Sequence, residues 1–131
     1  MQVEIANVVG RVVAASEDGS LNFGQIVGML MAAGIEAYHV DFRAARITYY
    51  AGSGETCTVT MPPPVAGIAD NFDAVAIQDA IRGSQRGEVN YPEFRRRSQA
   101  AGCASYTVWI SGRHVTYYGR RGEMHAEHFP Q

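Results

Sequence analysis

The chain contains no lysine; its positive charge is carried by 11 arginines against 13 acidic residues, for a net charge of −2. A molecule so nearly neutral is not an electrostatic nucleic-acid binder as a whole. Together with the abundant alanine and glycine, the lysine gap reads as the codon bias of a GC-rich bacterial genome rather than as a demand for guanidinium groups. Cysteine is scarce too. Cys57 and Cys103 alone cannot make a disulfide framework, and they are expected as buried free thiols in a reducing cytosol. No signal segment is evident, and no apolar run is long enough to span a bilayer. The most apolar N-terminal stretch, VEIANVVGRVVAA, carries Glu4 and Arg11. There is no P-loop, dinucleotide glycine fingerprint, nucleophile elbow or CxxC motif. The stretches AGSG and GRRG fall between strand patterns, where no helix N-terminus follows to receive a phosphate.

What the chain does contain is one unit written twice. At a constant shift of 68 positions (89 − 21), Leu21 to Pro63 lies on Val89 to Gln131 without a gap. LNF meets VNY, AAG meets AAG, ITYY meets VTYY, and Gly54-Glu55 meets Gly122-Glu123. A period of this size means two copies of a small αβ unit rather than a solenoid. At 131 residues, 47% hydrophobic and 18% charged, the chain is long enough for one self-sufficient core.

Each copy predicts the order α-α-β-β-β. Ile5, Val8, Val9 and Val12 form one helical stripe, and Ala76, Ile77, Ala80 and Ile81 form the matching one. A second helix opens on a capping box, Asn22 with Gln25 and Asn90 with Glu93. It ends at Gly34 or Gly102, each suited to the left-handed C′ position. Period-two strands follow, joined by short turns. The expected fold is therefore α+β, with two tandem α-α-β-β-β repeats packed with pseudo-twofold symmetry and antiparallel sheet(s) carrying helices on one face. Residues 1–131 form a single domain of two repeats, 3–63 and 71–131, joined by a stiff Pro-rich linker at 62–70. Two separate beads are not expected, because about 60 residues make a marginal core.

Positions shared by both copies have structural readings as caps, helix ends and core tyrosines. Function is therefore sought where the copies differ. The sheet face turned away from the helices should carry His39, Asp41, Thr48 and Tyr50 in one copy and Thr107, Trp109, Thr116 and Tyr118 in the other. Aromatic rings beside a histidine and an aspartate suit recognition, although such a face also serves sheet packing or dimerisation. His39 and Asp41, two apart on a strand, point the same way and suit an acid–base or metal pair, but no third ligand can be named. In the last strand Glu123, His125, Glu127 and His128 resemble a metal-ligand cluster, and equally a polar edge strand. Arg95, Arg96 and Arg97 replace Val27, Gly28 and Met29 of the first copy and make the second half locally basic, with eight Arg against seven acids over residues 66–131.

The stretches FGQIVGMLMAAGIEAYHVDFRAARITYYAGSGET and YPEFRRRSQAAGCASYTVWISGRHVTYYGRRGEMHAEHFP resemble the bacterial "phage envelope protein" family, also called domain of unknown function 1398. The resemblance implies a small bacterial protein, often prophage-associated, with no established activity and no functional residues to carry over. The leading expectation is a non-catalytic cytosolic binding protein that forms a homodimer. It would contact a host protein or a small anionic metabolite through His39, Asp41, Tyr50, Trp109 and Tyr118, with Arg95 and Arg96 supplying charge. No cofactor, metal, membrane or nucleic-acid partner is expected. The alternatives are a small enzyme using His39/Asp41 or Glu123/His125/His128, and a structural phage component.

Overall fold

The computed structural model describes residues 3–64 and 66–130. Its elements are α1 (Val3–Asp18), α2 (Phe23–Ala32), β1 (Ile35–Asp41), β2 (Arg46–Ala51), β3 (Thr56–Thr60), α3 (Ala74–Gln85), α4 (Tyr91–Ala100), β4 (Cys103–Trp109), β5 (His114–Gly119) and β6 (Met124–His128). The order α-α-β-β-β thus occurs twice. The strands form one six-stranded sheet, order β3-β2-β1-β4-β5-β6, with antiparallel neighbours throughout. The two hairpin sheets are fused through β1 and β4 rather than stacked.

One face of this sheet is buried under the helices. Tyr38, Val40 and Tyr49 from β1 and β2 and Tyr106, Val108 and Tyr117 from β4 and β5 join Val9, Val12, Leu30, Ile77 and Phe94 in a single core. The other face is bare of helix. Alternation along each strand makes the division, since successive side chains point to opposite sides.

Helix starts follow the sequence signals closely. Asn22 accepts from the Gln25 amide and Gln25 answers with its side chain, a complete capping box. Asn90 likewise caps α4 by accepting from the Glu93 amide at 3.0 Å. The reciprocal half expected there is not made, because Glu93 is drawn to two arginines on its own helix. Cys103 is fully buried as expected, whereas Cys57, on edge strand β3, is only half-buried. Ser98 occupies the place of Leu30 in the other half, and its buried hydroxyl has no hydrogen-bond partner among the described residues.

The segment between the halves is docked rather than free. Ala69 N–H donates to Gln99 O and Asp73 N–H to Ala101 O, which lays the chain over the C-terminal end of α4. Val65, within the expected linker, lies outside the described residues. This docking makes two otherwise equivalent glycines unequal. Gly34 and Gly102 both take positive φ, 86° and 87°. A Cβ on Gly34 would meet nothing, but one on Gly102 would stand 2.2 Å from Asn71 O. Gly34→Ala should therefore cost only the left-handed strain of about 1–2 kcal/mol. Gly102→Ala should add about 1–3 kcal/mol of overpacking. Urea unfolding of the two variants measures the difference, and equal midpoints would show that the linker does not press on α4.

Candidate functional site

The bare sheet face is ordered into three rows that run across all six strands. Register alignment gives the first as Thr56, Tyr50, Ala37, Trp109, His114 and His128. The second is Thr58, Thr48, His39, Thr107, Thr116 and Ala126. The third is Thr60, Arg46, Asp41, Ser105, Tyr118 and Met124. All five sheet residues expected from the sequence thus share one surface.

Their interactions are mostly local. His39 Nδ1 and the Thr107 hydroxyl are hydrogen-bonded at 2.7 Å, linking β1 to β4 at the centre of the sheet. Asp41 Oδ1 accepts from the amides of Arg43 and Ala44, each at 3.0 Å, and so shapes the β1–β2 turn. Trp109 lies beside the His114 ring at 6.2 Å and donates from Nε1 to Thr116 Oγ1 at 3.3 Å. Trp109 and Tyr50 nonetheless remain 40% and 39% exposed, large for aromatic rings on a flat surface.

Arg95 and Arg96 are not part of this surface. They lie on α4, in the helical layer on the other side of the sheet. Arg95 is bound by both carboxylate oxygens of Glu17 from α1 and lies over the Tyr91 ring at 5.5 Å. Arg96 and Arg97 both pair with Glu93. The hydrogen bonds from Arg96 and then Arg97 hold the Glu93 carboxyl down at about 2. Arg120 is paired with Asp70 in the linking segment. The basic appearance of the second half is therefore compensated almost charge by charge.

The acidic-histidine strand is divided by its own alternation. His125 and Glu127 oppose Tyr117 and Val115 and so face the helices, while His128 opposes His114 on the bare face. Glu127 takes hydrogen bonds from His125 Nε2 at 3.0 Å, Gln78 at 3.3 Å and Arg82 at 3.3 Å, tying the edge strand to α3. Burial raises its carboxyl, but the His125 bond and the Arg82 charge outweigh that and leave it below the ordinary carboxylate range. Glu123 instead accepts from the Arg121 amide in the β5–β6 turn. Among the described residues no three His, Cys, Asp or Glu side chains are grouped to hold a metal ion, and no helix is long and apolar enough to cross a membrane.

A concave site on the other side of the sheet was not foreseen from sequence. Between helices and sheet lies a cavity of about 220 Å³, lined by apolar side chains and by Tyr38, Tyr49, Tyr91, Tyr106 and Tyr117. Burial lifts all five phenols above their ordinary range, Tyr91 to about 12, so every one is neutral at physiological pH. Tyr106 donates to the Tyr91 hydroxyl at 3.0 Å. The signal for this site was in the sequence, in the positions that the two copies share.

The profile of a family described as "Protein of unknown function (DUF1398)" matches residues 11–128. An uncharacterized protein of Mycobacterium tuberculosis (strain ATCC 25618 / H37Rv) is 32% identical over 69 residues, covering 51% of this chain and 42% of that protein. An uncharacterized protein of Mycobacterium bovis (strain ATCC BAA-935 / AF2122/97) matches to the same extent. The match therefore spans less than half the length of these relatives.

The Glu127 anchor makes a pH prediction. A carboxyl lowered by folding contributes stability above its unfolded value, and that contribution is lost as pH falls through the folded one. Glu127→Gln should cost about 1–2 kcal/mol at neutral pH. The gap from the unsubstituted protein should close as pH drops from about 6 to about 3. Urea midpoints at several pH values test this, and a gap independent of pH would mean the carboxylate charge is not what holds β6 to α3.

Proposed function

The chain belongs to the DUF1398 family, and from the geometry of its own surface we propose that it is a non-catalytic binding protein. It docks protein through the bare sheet face, with a second copy of itself as the first occupant. The observation that carries this reading is the pair of exposed rings, Trp109 and Tyr50, on a six-stranded face that no helix covers. Contiguous exposed aromatic surface of this kind marks interaction sites. The face is also flat, whereas small-molecule sites are concave, so it suits a macromolecular surface better than a metabolite.

The case for a second copy rests on self-complementarity. A twofold axis lying along the strands, between two sheets packed face to face, exchanges β1 with β4 and β2 with β5. Trp109 of each copy then falls over the partner position held by Ala37, its cross-strand neighbour, and Asp41 falls over Ser105. Large meets small in both cases, as an isologous interface requires. Six strands about 4.8 Å apart and five residues deep give a footprint on the order of 480 Å². That is less than the roughly 800 Å² per partner of a standard interface, so a micromolar dimer is expected.

Inside one chain, we infer that the two α-α-β-β-β halves are themselves related by a twofold axis through the His39–Thr107 pair. Two observations support this. The β1–β4 pairs Ala37↔Trp109 and Asp41↔Ser105 exchange under the 68-position shift. So do the flanking bonds, Phe42 N–H to Ala104 O and Ile110 N–H to Glu36 O.

The small anionic ligand draws no support from Arg95 and Arg96, which are paired with acids and lie in the helical layer. The acid–base reading is not favoured either, since Asp41 shapes a turn and His39 bonds Thr107. The prophage setting implied by the family resemblance fits a small protein that acts by covering another protein's surface. Sedimentation analysis between about 1 and 200 µM tests the docking face. Wild type should dimerise, Trp109→Ala and Ala37→Arg should be monomeric, and Arg96→Ala should behave as wild type. A wild-type monomer throughout that range would overturn the proposal.

A further inference from the structure

The cavity between the helical layer and the sheet has an unusual lining. With Val12, Val40 and Glu127 excepted, every residue that lines it has its counterpart 68 positions away also in the lining. Tyr38 is there with Tyr106, Tyr49 with Tyr117, Phe23 with Tyr91 and Ile26 with Phe94. The cavity is thus built where the two halves meet, by the same positions of each.

Its polar groups are phenols with work left undone. Tyr38, Tyr49 and Tyr117 are only 7%, 2% and 5% exposed. Of the tyrosine hydroxyls in the lining, only those of Tyr106 and Tyr91 are hydrogen-bonded to each other; the other three have no protein partner among the described residues. Nor do they rank with the fully enclosed orphan atoms, Ser98 Oγ and Gln99 Nε2. They therefore look into the cavity space. Buried hydroxyls seek hydrogen-bond partners, and a few polar groups converging on a concave apolar site are what a small-molecule pocket offers.

We propose that this cavity is a binding site for a small, uncharged aromatic molecule carrying one polar oxygen. Size, shape and charge each narrow the class. A cavity of about 150 Å³ accepts a benzene ring, so one of about 220 Å³ takes a substituted ring. Tyrosine and phenylalanine walls favour an aromatic guest through offset or edge contacts. The tyrosines stay protonated, so they offer neutral hydroxyl donors and acceptors and no charge. The carboxylates in the lining are Glu17 and Glu127, and their cations Arg95 and Arg82 are already engaged with them. An anion would meet carboxylates with no free arginine in the lining to offset it. The exposed rim residues Asn22, Asn90 and Gln85 open the cavity to solvent.

The test uses three probes of one shape: 4-methylphenol, toluene and 4-methylbenzoate. Thermal shift and amide NMR titration of the full chain should show saturable binding of 4-methylphenol, with perturbations at Tyr38 and Tyr106. Toluene should bind about tenfold more weakly, the worth of one hydrogen bond, and 4-methylbenzoate should not bind. The triple variant Tyr38→Phe/Tyr49→Phe/Tyr117→Phe keeps all three rings and should erase the preference for 4-methylphenol over toluene. Ile26→Phe, which installs the ring that Phe94 already places in the other half, should abolish binding of both neutral probes. Trp109→Ala should leave binding intact, which separates this site from the sheet face. The proposal is overturned if no probe binds at millimolar concentration, if the benzoate binds as well as the phenol, or if the triple variant, which lacks the three open hydroxyls, keeps the preference.

Discussion

The antiparallel join of β1 to β4 is the constraint on which the rest of the molecule depends. Each half alone offers three strands and two helices, about 60 residues, a size at which a hydrophobic core is marginal. Five aligned pairs along the join, centred on the His39–Thr107 hydrogen bond, turn two such halves into one sheet. The core then becomes continuous across the seam, where Phe42 of the first half lies 5.7 Å from Tyr106 of the second. The join also removes two exposed strand edges and leaves only β3 and β6 at the borders.

That join explains why the molecule has a bare face and a cavity. All helices connect to the sheet from the same side, so the opposite face stays uncovered along all six strands. On the covered side, helices pack mainly within their own half, α1 with α2 and α3 with α4. At the seam the sheet is continuous while the helical layer is bridged more thinly, by α1 against α4 and the Glu17–Arg95 pair. Space is left beneath that bridge. Long aromatic side chains from β1, β2, β4 and β5 line it.

Much of this fold was legible in the sequence, because its signals are local. Heptad-like apolar spacing gave α1 and α3, Asn22 and Asn90 marked helix starts, and alternation sorted Tyr49 from Tyr50 and Tyr117 from Tyr118. The join was not legible. Nothing in AYHV or SYTV says that they pair with each other, because backbone hydrogen bonds carry no side-chain address and either hairpin edge could have been used. Charge misled for a similar reason. Arg95 looks like one of three stacked cations, yet its partner Glu17 lies 78 positions away and is brought to it only by the packing of α1 on α4. The apparent Glu123/His125/His128 cluster fails through strand alternation that was visible beforehand, which puts His128 on the other face.

The α-α-β-β-β order occurs in both halves of the chain, and this bears on where function is to be sought. Residues repeated in both copies are naturally read as scaffold, needed twice for the same reason, and the differing residues as the functional ones. That logic holds when the copies are independent. It weakens when they share one core, because a repeated residue near the seam then stands beside its own counterpart on one sheet face. Two tyrosines that would each be an ordinary core ring in an isolated unit become neighbouring parts of one lining. Tyr38 and Tyr106, Tyr49 and Tyr117 are in that position, and the repeat that made them look structural is what brings them to a common cavity. The joining of two α-α-β-β-β halves in one sheet thus creates an interior lined from both, which neither half possesses alone.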